Sequence, residues 1–245
     1  MSPFLLLKLD APLMAFGGIA IDNYGVEMPF PAVSLITGLL ANALGYRREQ
    51  FDALQCLQDR LRLCIRMDQE GEAMQDFQTA KLGKDDAGWT TRGIPEGRAG
   101  GPATYDNKHL RYRDYHADRV VMVALLLTDA QQSPTLTELL AALQQPARPL
   151  YIGRKCCLPA APIAIGIVHA ENLASALATV PLEHTRKRAD GTEANAQVRQ
   201  FEALAPDEPM RIGEHRVSGL RQWRKQLHGG EQRWLESRVT AAVAS

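Results

Sequence analysis

The chain opens on a short apolar run, Phe4 to Leu9, of the length and composition of a buried strand. The pattern turns at Asp10-Ala11-Pro12 into a loop holding Gly17 and Gly18, where backbone can come close to a ligand. Leu35, Ile36, Leu39, Leu40 and Ala43 then recur at helical spacing, predicting an amphipathic helix that begins near Ser34 and is stopped by Gly45. Phe51, Leu54 and Leu57 predict a second, short helix over 50–59. Residues 60–68, RLRLCIRMD, alternate strictly. Leu61, Leu63, Ile65 and Met67 face one way and Arg60, Arg62, Cys64 and Arg66 the other, the pattern of a half-buried strand with one basic face. That face is either solvated and salt-bridged or a contact surface.

Residues 69–116 lose this regularity and become polar, Gly-rich and mixed in charge. So long a structureless loop is unusual in a compact domain, so an extended hairpin or a partner-ordered arm is expected. Residues 119–127, RVVMVALLL, read as a central strand covered on both faces. Ser133 and Pro134 open a helix with Leu136, Leu139, Leu140 and Leu143 as its stripe, ended by Pro146 and Pro149. LYIGRKCCLP is a loop and PIAIGIVHA a further strand. The order strand, helix, strand, arm, strand, helix, strand predicts an α+β, ferredoxin-like domain over residues 1–170, with the arm inserted at about 71–116. Residues 171–245 are expected to form a small C-terminal subdomain: a helix over 171–180, a polar turn at 184–197, a basic edge and a short terminal helix. The edge carries Arg211, Arg216, Arg221, Arg224 and Lys225 against Glu214, a local charge of +4.

Charge narrows the function. Lys plus Arg is 28 and Asp plus Glu is 28, so no global positive field exists and any polyanion site is local or shared with partners. In the arm, cations are interleaved with Phe77, Trp89, Tyr105, Tyr112 and Tyr115, a mixture that suits single-stranded nucleic acid. Acids in the same stretch leave a plain solvated loop as the alternative. No apolar run is long enough to span a membrane, and no signal peptide is apparent, so a cytoplasmic protein is expected. Cys56, Cys64, Cys156 and Cys157 match no metal-binding spacing and read as reduced structural thiols. No catalytic, nucleotide or metal motif is present, and no cofactor is expected. KHLRYRDYH, residues 108–116, holds His109 and His116 near Tyr112 and Tyr115, a set able to supply acid, base and phosphate clamp for metal-independent RNA cleavage.

Several segments together resemble one family. LLLKLDAPLMAFGG, PAVSLITGLLANALG, LQDRLRLCIRMDQEG, DFQTAKLG, DYHADRVVMVALLL, PLYIGRKCCLPAAPI and EPMRIGEHRVSGLRQW resemble, in order, segments of the CasD subunit of the type I-E CRISPR Cascade complex, of the RAMP group. The resemblance implies an RRM-like fold with a β-hairpin thumb, and a noncatalytic subunit holding the 5′ handle of the CRISPR RNA. Partners would be that RNA, the backbone subunit CasC, the large subunit CasA, and target DNA through the assembled complex. In type I-C systems the corresponding subunit cleaves repeat RNA, which supplies the enzyme alternative. Phe16 stands where the family often has tryptophan, and Val33 where a basic residue commonly precedes the helix. The candidate RNA contacts are Met14, Phe16, Gly17 and Gly18 of the first loop, the helix start at Ser34, Lys81, Trp89, Lys108, His109, Arg111 and Arg113 of the arm, and Gly153, Arg154, Lys155 and Cys156 of the second loop.

Overall fold

In a computed structural model the protein is a mixed α/β molecule dominated by one sheet; residues 1–18, 23–81, 108–182, 197–205 and 208–240 are described. In chain order the first elements are β1 (Ser2–Met14), β2 (Tyr24–Gly25), α1 (Val33–Ala43), α2 (Phe51–Arg60), β3 (Leu61–Gln69), β4 (Glu72–Ala80) and β5 (His109–Leu127). They are followed by α3 (Leu136–Gln144), β6 (Ala164–Ala170), α4 (Leu173–Ala178), β7 (Gln197–Ala203), β8 (Glu214–Val217), β9 (Arg221–Gln222), β10 (Leu227–His228) and β11 (Gln232–Thr240). The large sheet runs β6-β1-β5-β3-β7-β11-β8, with β2 and β4 attached to the far half of β5; β9 and β10 form a separate small hairpin.

The centre of the sheet is covered on both sides, and strand alternation divides the two cores. Leu5, Leu7, Leu9, Leu63, Ile65, Val121, Val123 and Leu125 face α1, α2 and α3, where Ile36, Leu40, Leu57 and Leu139 meet them. Phe4, Leu6, Cys64, Met122 and Ala124 face the other way, onto Leu173, Ala176 and Leu177 of α4. Residues 197–240 continue the same sheet beyond β3, and Phe201 and Trp234 lie in the larger core against Phe30.

Four sequence expectations change. The first strand does not turn at Asp10-Ala11-Pro12; it runs on to Met14, opposite His116 of β5. Pairing with β6 stops at Leu7, so Pro12 lies on a stretch with β5 as its one strand neighbour, where a missing N–H is tolerated. The arginine face of β3 is not one open surface: α4 covers it at Cys64 and Arg66, while Arg62 stays half-buried on the carbonyls of Asp59 and Leu61. Arg66 is buried and donates to the carbonyls of Leu177 and Val180 at the end of α4 and to both oxygens of Asp68, so it caps a helix C-terminus. Arg60 is spent in the same way on the carbonyls of Thr128, Asp129, Gln132 and Pro134. The helix after the central strand is capped by Thr135, whose hydroxyl accepts from the Glu138 N–H while the Glu138 carboxylate accepts from the Thr135 N–H, two residues after the predicted cap. Finally, the terminal segment is strand β11 rather than a short helix. Its Trp234 sits opposite Ala203 and is fully buried, and pairing with both β7 and β8 outweighs its local pattern.

Candidate nucleic-acid interface

The inserted arm contains an antiparallel hairpin. β4 pairs along the first half of β5 from Glu72 opposite Ala117 to Ala80 opposite His109. Since β5 also runs through the core, its 19 residues join the hairpin to the sheet, with a bend at Asp118, whose φ is +51°. Two loops meet at the root of this hairpin, one following β1 and one preceding β6.

They approach each other closely. Gly153 has φ +86°, and a Cβ placed there would lie 1.6 Å from the Ala15 carbonyl oxygen, so only glycine fits. The Ala15 N–H donates to the Ile152 carbonyl at 3.2 Å, and Ile152 in turn donates to the Cys157 carbonyl, closing the second loop on itself. Glu27 locks the pair. Its carboxylate accepts from the Gly17 N–H at 2.6 Å and from Arg154 Nη2 at 2.7 Å, with the side chain 3% exposed. Burial raises its pKa above the usual carboxylate value, against the opposing pull of Gly17 and Arg154. Arg154 also donates to the carbonyls of Asp114 and Gly25, and its guanidinium lies 4.5 Å over the Tyr115 ring.

These interactions sort the predicted residues. Met14 and Phe16 are core side chains, which leaves Gly17 and Gly18 as the half-buried residues of this segment. The Gly17 N–H is already taken by Glu27, and the Ser34 N–H donates to the Gly219 carbonyl at 3.0 Å rather than pointing to an anion. Arg154 works as an internal tie, while its neighbours Lys155 and Cys156 are exposed. On the hairpin, Lys81 and Lys108 are exposed, and Arg111 donates to Asn23 Oδ1 at 2.5 Å and to the Leu110 carbonyl. His109 lies opposite Ala80, and Arg113 opposite Asp76. Trp89 lies outside the described residues.

Two of the interleaved rings, Phe77 and Tyr112, form an aromatic platform on the hairpin with Tyr24, which sequence reasoning overlooked. Tyr24 of β2 stacks on Tyr112 with centroids 4.9 Å apart and planes 10° apart, and Phe77 packs against the same ring at 5.1 Å. Tyr24 and Phe77 are 51% and 54% exposed. Period-two alternation already places Tyr112 on the face opposite to Arg111 and Arg113, but nothing local brings Tyr24 beside it. The C-terminal basic edge is mostly compensated from elsewhere: Arg211 pairs with Glu208, Arg216 with Glu231 and Arg224 with Asp52.

His116 is not presented to a substrate. It is 8% exposed, packs against the Phe16 ring at 4.7 Å with the planes tilted by 38°, and has Nε2 2.8 Å from the Met28 carbonyl oxygen, an N–H donor geometry. Burial first, and then the Arg119 guanidinium, lower its pKa and keep it neutral. Among the described residues no cluster of three or more His, Cys, Asp or Glu is arranged to hold a metal ion, and all four cysteines are free. No helix among them is long and apolar enough to cross a membrane.

Comparison with known proteins places this geometry in context. The family model described as CRISPR-associated protein (Cas_Cas5) matches residues 4–234. The Cascade subunit CasD of the CRISPR system of Escherichia coli (strain K12) is 27% identical over 184 residues, covering 72% of this chain and 76% of that protein. A chain in a structure described as a CRISPR RNA-guided surveillance complex superposes with a TM-score of 0.71 at 22% identity, over 99% of this chain and 93% of that one. A second, described as the crystal structure of a Cas protein, gives 0.60 at 22% identity over 98% of each chain.

Proposed function

This chain belongs to the CRISPR-associated Cas5 family, and from that premise we propose that it is the noncatalytic subunit holding the 5′ handle of the CRISPR RNA in a type I-E Cascade complex. The observation that carries this reading is the convergence of two glycine loops, tied by Glu27 and Arg154, at the root of a hairpin bearing exposed lysines and stacked rings. Exposed Lys81 and Lys108 neutralise phosphates, the Tyr24–Tyr112–Phe77 platform accepts an unstacked base, and the loops offer backbone at close range. The strand order β6-β1-β5-β3, with helices at both crossovers, supports a ferredoxin-like RAMP domain whose thumb is the β4–β5 hairpin. A net charge of +0 suits a cytoplasmic subunit that shares its RNA with CasC and CasA and meets target DNA through the assembly.

The buried, carbonyl-bound His116 favours binding over repeat cleavage, since a general base must reach the proton it takes. The test is a gel assay of the purified protein with labelled repeat RNA in EDTA. A shifted, uncut RNA is expected; a discrete cleavage product overturns the noncatalytic reading, and no shift overturns autonomous handle binding.

A further inference from the structure

Behind the two loops lies a cavity of about 330 Å³ whose far wall the handle-binding reading leaves unused. Gly17 and Gly153 bound it on the loop side, Asn42 comes from α1, and Arg221, Trp223 and His228 close it from the β9–β10 hairpin. The wall is held in place. Trp223 is 8% exposed and its Nε1–H donates to Gln58 Oε1 at 3.2 Å, while the Gln58 amide donates to the Arg221 carbonyl.

The charge balance of this wall is incomplete. Arg221 and Arg48 both donate to the Gln226 side-chain carbonyl, at 2.9 Å and 3.1 Å, and Arg221 also to the Gln226 main-chain carbonyl, so two cations rest on neutral oxygens of one residue. Among the described residues neither has a carboxylate within ion-pair distance, and Arg221 Nε is buried without a hydrogen-bond partner. A buried donor left open costs stability unless something fills it. Glu27, the carboxylate on the cavity wall, is already held by Gly17 and Arg154. The Arg221 guanidinium also lies 5.3 Å over the Trp223 ring, giving the wall a planar, cationic surface.

We infer that this cavity seats one unstacked nucleotide of a bound single strand, its base against the Arg221–Trp223 wall and its phosphate beside the Arg221 guanidinium. The inference rests on the RNA-binding reading and deepens it. The volume is at the small end of ligand sites, roughly 300–1,000 Å³, which suits one nucleotide and not a longer segment. An anionic, acceptor-rich ligand with a flat ring matches the uncompensated cations and the exposed edge of His228, whereas an acidic peptide would leave the planar wall unused.

The test is an abasic-nucleotide scan of labelled repeat RNA, with affinity measured against the parent, Arg221→Gln and His228→Ala. Removing one base is expected to weaken binding to the parent by roughly tenfold at a single position, with smaller effects elsewhere. Arg221→Gln is expected to bind intact RNA about as weakly and to lose the penalty at that position. His228→Ala, at an exposed side chain, is expected to reduce the same penalty, so the result does not depend on Arg221→Gln alone. A parent with no position-specific loss, or a loss kept in both variants, overturns the pocket and leaves RNA binding standing. A parent that retains no RNA at all overturns both.

Discussion

Glu27 and Arg154, 127 residues apart in the chain, meet at 2.7 Å and hold two loops together at the root of the hairpin. Arg154 is therefore a structural residue first, in contrast to Lys155 beside it, which is exposed. Arg154→Ala leaves the Glu27 carboxylate 3% exposed without its ion-pair partner, and a loss of about 2 kcal/mol is expected after allowance for the partly exposed guanidinium. Urea unfolding checks it; an unchanged midpoint would remove the tie from the account.

Lys155→Ala should leave that midpoint alone and act on RNA binding only. Removing one lysine–phosphate ion pair lowers the slope of log affinity against log salt by about 0.7 for a single strand. Binding titrations between low and moderate salt read the slope, and an unchanged value would mean Lys155 meets no phosphate.

Gly153→Ala forces a side chain into the Ala15 carbonyl at a φ of +86°. A cost of at least about 1–3 kcal/mol is expected, with displacement of both loops and weakened RNA binding. Thermal unfolding together with a gel shift tests this. A stable variant that binds normally would show that the close approach of the loops is dispensable.

These loops also mark where the sequence stops being legible. The central strands and α1 to α3 follow from runs and periodicity that act locally, such as the stripe of Ile36, Leu39 and Leu40. Glu27 carries no local signal, since its role depends on Gly17 and Arg154 arriving from two other elements. Arg66 misleads for the same reason: alternation places it correctly away from Ile65, but what covers that face is α4, more than 100 residues later. The terminal strand pairs in register with β7 and β8, a non-local gain that its short segment does not announce.

His116 gives a prediction in pH. Its pKa in the folded state lies below the ordinary value of 6.5, so below 6.5 the unfolded chain binds the extra proton more readily. Its contribution to stability is therefore present above 6.5 and lost as pH falls through the lowered folded value. Urea midpoints of the parent and His116→Gln, compared at about pH 7.5 and pH 5.5, should show a steeper acid loss for the parent. Parallel pH dependence would remove His116 as the source.

Tyr112→Leu keeps an apolar side chain beneath Phe77 while removing the ring on which Tyr24 stacks. If the platform takes a base, affinity for single-stranded RNA should fall by roughly 1–3 kcal/mol with little change in salt slope. Unchanged binding would assign the platform another role.

The hairpin and the core share one strand. The 19 residues of β5 bend at Asp118, whose φ is +51°, with Leu125 between two core strands and His109 at the other end. A load on the hairpin is thus carried into the sheet across ladders to β1 and β3 that must shear together before the strand can slip. In mechanical terms the β4–β5 hairpin is anchored in the body: it cannot be drawn out without opening the centre of the fold.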